Sequence, residues 1–348
     1  MTTSPAALET RMRDYRPRVD AEMRAVVGDD ASGLYAWTRY HLGWEDREGT
    51  PTGRGPGKML RSTALLLSAE ACGGEVGHAI PAAAAIELLH NFSLVHDDIE
   101  DDSDTRRGQA ALWTLVGLAQ GINTGDGMFT LARVALHRLP EAGVDPAVAF
   151  AATRELDNAC MRLIEGQYHD IAFETRSRVD RDEYLAMVEG KTSALFAACA
   201  AMGALIAGAP TERVDALREW GRQIGLAFQA VDDLLGIWGD PAVTGKPVGD
   251  DVAVRKQTFP VIAALTSGRA PGLEAAYRRA DDGEPVIASP DIAALTSEIE
   301  ASGARATTEA LVREHLALAA AALDASGLGV EARALFEEYA DLATAREA

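Results

Sequence analysis

Cysteine is scarce. Cys72, Cys160 and Cys199 are the only three in a chain of 348 residues, and no two have the C-x-x-C spacing. This excludes a disulfide scaffold and a thiolate zinc centre, and it fits the reducing cytoplasm. Positive charge is short as well: 33 Lys and Arg stand against 53 Asp and Glu, a net charge of −20. Such a chain repels phosphate backbones and anionic lipid, so nucleic acid is not an expected partner. Long apolar runs are missing. Residues 1–16 hold no apolar stretch of the secretory-signal kind. The longest run, Ala194–Ala209, is sixteen residues of mostly Ala and Gly. It is too short to cross a bilayer and reads as a buried helix, so no integral membrane segment is expected.

Hairpin signals are absent too, since no pair of alternating runs is joined by Asn-Gly or Asp-Gly. What is present is helical. Hydrophobic residues make up 47% of the chain, ample for a large core. Ala82–Asp101, Ala147–Glu174, Tyr184–Ala209, Glu212–Ile237 and Thr307–Leu323 are long, Ala- and Leu-rich and free of internal proline. Gly and Pro clusters fall between them. No repeat period or low-complexity linker interrupts the chain, and one all-α domain over residues 1–348, with ten or more helices, is the expectation.

Adjacent Asp pairs are common in so acidic a chain, but Asp97–Asp98, Asp101–Asp102 and Asp232–Asp233 each end a long apolar segment. On a helix, His90, Asp97 and Asp101 fall within about 40° of one another. Asp97 and Asp101 then present two carboxylates on one face, roughly 6 Å apart along the axis. Like charges so placed destabilise a helix unless a cation bridges them. Carboxylate-only ligation suits a hard ion such as Mg²⁺, which keeps waters and takes further oxygens from a phosphate. The spacing of an EF-hand is absent. Cations stand near these clusters in sequence: Arg106-Arg107 directly after the first, Gly57-Lys58-Met59-Leu60-Arg61 before it, and Lys191, Lys246 and Lys256 later. Arg forks and Lys point charges suit diphosphate oxygens.

Taken in order, these elements resemble the trans-isoprenyl diphosphate synthases, the polyprenyl synthetase family, over residues 55–260, and most closely the geranylgeranyl diphosphate synthases. Asp97-Asp98-Ile-Glu-Asp101 with Arg106-Arg107 resembles the first aspartate-rich motif, and Phe228-Gln229-Ala-Val-Asp232-Asp233 the second. The resemblance implies an all-α bundle (isoprenoid synthase-like) around a deep central cavity, usually a homodimer, that condenses isopentenyl diphosphate with an allylic diphosphate: dimethylallyl, geranyl or farnesyl. Carried over by position, Asp97 and Asp101 bind two Mg²⁺ ions and Asp232 a third, with Asp98 and Asp233 supporting. Arg106, Lys191 and Lys246 hold the allylic diphosphate, and Lys58, Arg61, His90 and Arg107 that of isopentenyl diphosphate. Thr192 and Gln229 face the allylic cation with oxygen dipoles, and Lys256 helps to close the site.

Three positions depart from the family pattern. Met59 replaces an Arg, Ser62 replaces a Pro, and Gly236 stands where the second motif often has its last Asp. The last change is expected to thin the carboxylates behind Asp232. Product length is expected to depend on the turns below the first motif. Ser93, four before Asp97, is small and nearly on its face, leaving room where a Phe would stop growth at fifteen carbons. Phe92, then Leu89 and Ile86, are expected to form the floor, and the analogy suggests a C20 product. An alternative is that Phe92 packs between helices and the floor lies elsewhere. Two rivals share the scaffold. A class I terpene cyclase needs no second diphosphate site, and a non-catalytic subunit of a heteromeric synthase can lose the first Asp motif; the residues retained here favour the condensing enzyme.

Overall fold

The computed structural model describes residues 7–55, 57–241, 248–280, 285–287 and 289–345, so Lys246 lies outside the described residues. The chain divides into two compact units. The first comprises Met1–Asp157, Ala198–Leu217 and Leu328–Phe336, and the second Asn158–Ala197, Arg218–Gly327 and Glu337–Ala348.

In the first unit, helices α1 (Ala7–Val27), α2 (Gly33–His41), α3 (Leu60–Ala71), α4 (Val76–Glu100), α5 (Leu112–Val116) and α6 (Leu118–Leu136) surround a core built on α4. Ala82, Ala83, Ala84, Ala85, Ile86, Leu88 and Leu89 are fully buried. A helix apolar on all sides is stable only when packed on all sides, and alanine gives up no side-chain entropy there. This burial carries α4 back through Pro81 to Val76, ahead of the expected start at Ala82, despite the hydrogen bond that proline forfeits. Close approach of α6 requires Gly125, where a Cβ would lie 2.3 Å from His96 Nε2. A two-stranded hairpin, β1 (Thr105–Arg106) and β2 (Gln109–Ala110), follows α4, contrary to the expectation of no hairpin. Its two-residue loop, Arg107-Gly108, has positive φ at both positions (53° and 73°), as a type I′ turn demands.

The second unit contains most of α7 (Pro146–Glu174), α8 (Arg181–Val188), parts of α9 (Ala194–Ile206) and α10 (Thr211–Trp238), and later helices including Phe259–Ser267 and Ala304–Ser326. A capping box starts α8: Asp180 accepts from the Glu183 N–H at 2.8 Å, and Glu183 Oε2 accepts from the Asp180 N–H at 3.0 Å. The expected segment Tyr184–Ala209 is helical from Arg181 to Ile206, but Glu189–Ser193 forms a π turn within it. That continuous helix is long enough to cross a membrane, yet 72% of its most apolar stretch is buried inside the protein, as a core helix would be. In α10, a Cβ on Gly225 would lie 2.5 Å from Ser193 Cα and one on Gly221 2.5 Å from the Phe196 carbonyl oxygen, so the small residues admit the π turn and α9 backbone to backbone.

Candidate active site

The first acidic station ends α4. Asp101 caps the helix, its N–H bonding to the Asp97 carbonyl at 2.9 Å, so the two side chains sit one turn apart as expected. Asp97 is partly open to solvent and Asp101 exposed, whereas Asp98 is 1% exposed. Asp98 Oδ1 accepts two hydrogen bonds from Arg106, from Nε at 2.8 Å and from Nη2, while Oδ2 is buried without a partner. Burial pushes the Asp98 carboxyl up against the pull of Arg106; burial also opposes the Arg106 charge, which its carboxylate neighbours more than restore. Arg106 Nη2 also lies 3.6 Å from Asp97 Oδ2. Among the described residues no three Asp, Glu, His or Cys side chains converge into a closed metal cage. Two carboxylates a turn apart, both reached by solvent, fit a hard ion that completes its shell with water and phosphate oxygens. Asp98, already tied to Arg106, is a support for this pair and not an open ligand.

The cationic station lies nearby in the same unit. Arg61 Nη1 is 3.3 Å from His90 Nε2, and burial, followed by the charges of Arg61 and Arg107, holds the His90 imidazole neutral well below its ordinary range. Arg107 Nη2 donates to Asn91 Oδ1 at 3.3 Å. Tyr40 anchors the hairpin by donating to the Ala110 carbonyl at 2.9 Å. Lys58 is exposed, and its carbonyl accepts from Arg16 at 3.0 Å. Met59 is in the left-handed region (φ 53°) with its side chain buried, so it contributes packing where an Arg would contribute charge. Ser62, standing in for a Pro, brings an N–H that Glu87 Oε1 accepts at 3.0 Å. Neither departure leaves a buried group unsatisfied.

The second acidic station lies in α10. Asp232 is exposed and Asp233 is 3% exposed. Among the described residues Asp233 accepts hydrogen bonds from neutral donors: Tyr184 hydroxyl at 2.5 Å, Phe259 N–H at 2.8 Å and Gln229 Nε2 at 3.0 Å. Burial raises its pKa to about 7 despite these bonds. With both oxygens engaged, Asp233 holds Gln229 and the start of helix Phe259–Ser267, a supporting place and not that of an open ligand. Thr192, presented by the π turn, donates to Gln229 Oε1 at 2.8 Å. Lys191 Nζ is 2.5 Å from Asp170 Oδ2 on α7. Burial works against the Asp170 charge, but Lys191 and Lys256 overcome it and lower its pKa. Gly166 makes room: a Cβ there would lie 2.1 Å from the Lys191 nitrogen. The expected thinning at Gly236 is corrected, because a Cβ at 236 would lie 1.9 Å from Asp251 Oδ2. The Asp251 carboxylate thus fills the place of the missing side chain.

A family model described as Polyprenyl synthetase matches residues 52–289. The chain belongs to the polyprenyl synthetase family. It is a polyprenyl diphosphate synthase, a transferase of prenyl groups. A (2E,6E)-farnesyl diphosphate synthase of Mycobacterium tuberculosis is 42% identical over 306 residues, 88% of this chain and 81% of the relative. A geranylgeranyl diphosphate synthase of the same organism is 41% identical over 286 residues, 82% of this chain and 79% of the relative. Near-equal identity to both leaves product length to the residues themselves. The crystal structure of a polyprenyl synthetase from Streptomyces coelicolor A3(2) has a TM-score of 0.86 at 38% identity, covering 96% of this chain and 99% of that one.

Within this synthase, the residues expected to gauge product length separate. Ser93 stays on the Asp97 face and folds its hydroxyl back to the His90 carbonyl at 2.8 Å. Phe92 turns toward α6, its ring 5.2 Å from that of Phe129 and 5.0 Å from that of His96. Five residues before Asp97 is about 140° around the helix, so Phe92 packs between helices and does not lie beneath that carboxylate. Ile86 and Leu89 have no exposed surface at all. Sequence reasoning missed Asp170, Asn91, Tyr184 and Asp251. Asp170 and Glu174 repeat the i,i+4 carboxylate pair that singled out Asp97 and Asp101, so the same test applied to α7 would have found the partner of Lys191.

Proposed function

We propose that this synthase condenses isopentenyl diphosphate head to tail with an allylic diphosphate and releases geranylgeranyl diphosphate. The observation behind the condensing reaction is the cationic station at Arg61, His90 and Arg107, which supplements the carboxylates with a place for a second diphosphate. In this reading Lys58, Arg61, His90 and Arg107 hold isopentenyl diphosphate. Asp97 and Asp101 hold Mg²⁺ on the allylic diphosphate and Asp232 a further ion, three in all, while Arg106, Lys191 and Lys246 take diphosphate oxygens. Bound Mg²⁺ neutralises charge developing on the leaving group as the allylic C–O bond breaks. Thr192 and Gln229 offer oxygen dipoles to the cation, the homoallylic double bond attacks it, and the departing diphosphate takes the final proton. Lys256 helps to close the site, and its apolar walls keep water from the cation.

The C20 product rests on Ser93. A small side chain one turn below Asp97 leaves the growing chain its path, and Ser93→Phe is expected to shorten the product to C15. Product analysis with five-, ten- and fifteen-carbon primers tests this. A wild-type C15 product sinks the length assignment and keeps the synthase; no elongation with any primer sinks both. The enzyme is also proposed to form a homodimer. Met161, Ile164, Tyr168 and Ile171 make an exposed apolar stripe at helical spacing on α7, which a second copy would cover. Sedimentation equilibrium of a monomer would refute it.

A further inference from the structure

Arg107 is strained and yet fixed. As a non-glycine residue at φ 53° in the hairpin loop, it occupies a backbone region that costs roughly 1–2 kcal/mol. Its guanidinium lies beside Gly57, where a Cβ would be in ordinary contact at 3.5 Å from Cζ, 3.5 Å from Nη2 and 3.6 Å from Nε. Its hydrogen bond is to Asn91, which is fully buried. Asn91 has no choice of orientation. Its Nδ2 donates to the Glu87 carbonyl one turn back at 2.8 Å, so Oδ1 must face Arg107. His41 borders the same place, 7% exposed, and burial with the charges of Arg107 and Arg106 pushes its pKa down to about 3. A neutral imidazole there adds no repulsion to the guanidinium.

We infer that Asn91 is a positioning residue for isopentenyl diphosphate: it holds the Arg107 guanidinium in its diphosphate-binding pose before the substrate arrives. Asn91 touches no substrate in this account; it acts through Arg107, and the inference rests on the diphosphate role proposed above for that arginine. A group already in place gives up no rotamer freedom on binding, so the advantage appears as affinity for one substrate.

The test is steady-state kinetics on Asn91→Leu, which keeps the side chain's shape and removes its hydrogen bonds to Glu87 and Arg107 together with its interaction with His41, with Asn91→Ala in parallel and thermal melting on each. The KM for isopentenyl diphosphate is expected to rise about tenfold, the scale of a hydrogen bond to a charged group. The KM for the allylic primer and kcat are expected to stay within about twofold. In an Arg107→Ala background, Asn91→Leu is expected to change nothing further. Equal rises in both KM values, or a full extra effect without Arg107, would assign Asn91 a general structural role and overturn the inference. If Arg107→Ala itself leaves the isopentenyl diphosphate KM unchanged, the underlying role of Arg107 fails and the inference with it.

Discussion

The two acidic stations use one dipeptide and solve one problem in two ways. Each sets an open aspartate beside a buried one, Asp97 beside Asp98 and Asp232 beside Asp233. Asp98 is held by a guanidinium, a permanent charge on a hairpin arm. Asp233 is held by a phenol, an amide and a backbone N–H, all neutral. A buried carboxylate can therefore be satisfied by charge or by hydrogen-bond count, and the choice sets how each region fails. The first fails when charge is removed; the second fails gradually, one donor at a time.

The largest expected contrast is in turnover. On the metal roles proposed for them, Asp97→Asn is expected to lower kcat by about 10³-fold or more and Asp232→Asn by about 10²-fold, since losing a metal-ion clamp removes several kcal/mol. Single-turnover rates at saturating Mg²⁺ check this, and equal losses would erase the distinction. In stability, Arg106→Gln strands the Asp98 carboxylate and is expected to cost about 3–5 kcal/mol in urea unfolding. Tyr184→Phe removes one of three donors to Asp233 and is expected to cost about 1 kcal/mol. A Tyr184→Phe loss as large as that of Arg106→Gln would break the comparison.

The smallest contrast is in pH dependence of the metal-free protein. His41 in the first unit has its folded pKa depressed to about 3, so its contribution is present above the unfolded histidine pKa of about 6.5 and is lost as pH falls. At pH 5 one such histidine removes about 2 kcal/mol. Asp233 runs the other way: its folded pKa is raised to about 7, so its contribution is complete below about 4 and is lost as pH rises through 7. Urea unfolding of His41→Gln is expected to lose less stability as pH falls from about 6.5, and that of Asp233→Asn to lose less as pH rises from about 4 to 7. Unchanged slopes in both would refute the assignment.

Most of the helices could be read from the chain because their alanine-rich segments have no competing pattern. Ala147–Glu174 against Pro146–Glu174 shows how closely. The α4 start could not, since Pro81 is a breaker locally and only burial overrides it. The hairpin at Thr105–Ala110 escaped because its strands are two residues each and its turn is Arg-Gly, without the Asn-Gly signal. At the site, the motif residues were legible as pairs of like charge. Their holders were not: Tyr184 lies 49 residues from Asp233 in sequence and Lys191 lies 21 from Asp170, separations that no local period encodes.

The π turn at Glu189–Ser193 makes the second station a matter of chain length as much as of chemistry. A π turn is an α-helix with one residue too many, so deleting one residue there would leave a smooth helix from Arg181 onward. The helix on either side would keep its phase, but the widened turn that presents Thr192 to Gln229 would close. A chain one residue shorter could thus keep the helix and lose the contact: here the distance between a scaffold and an active site is a single codon.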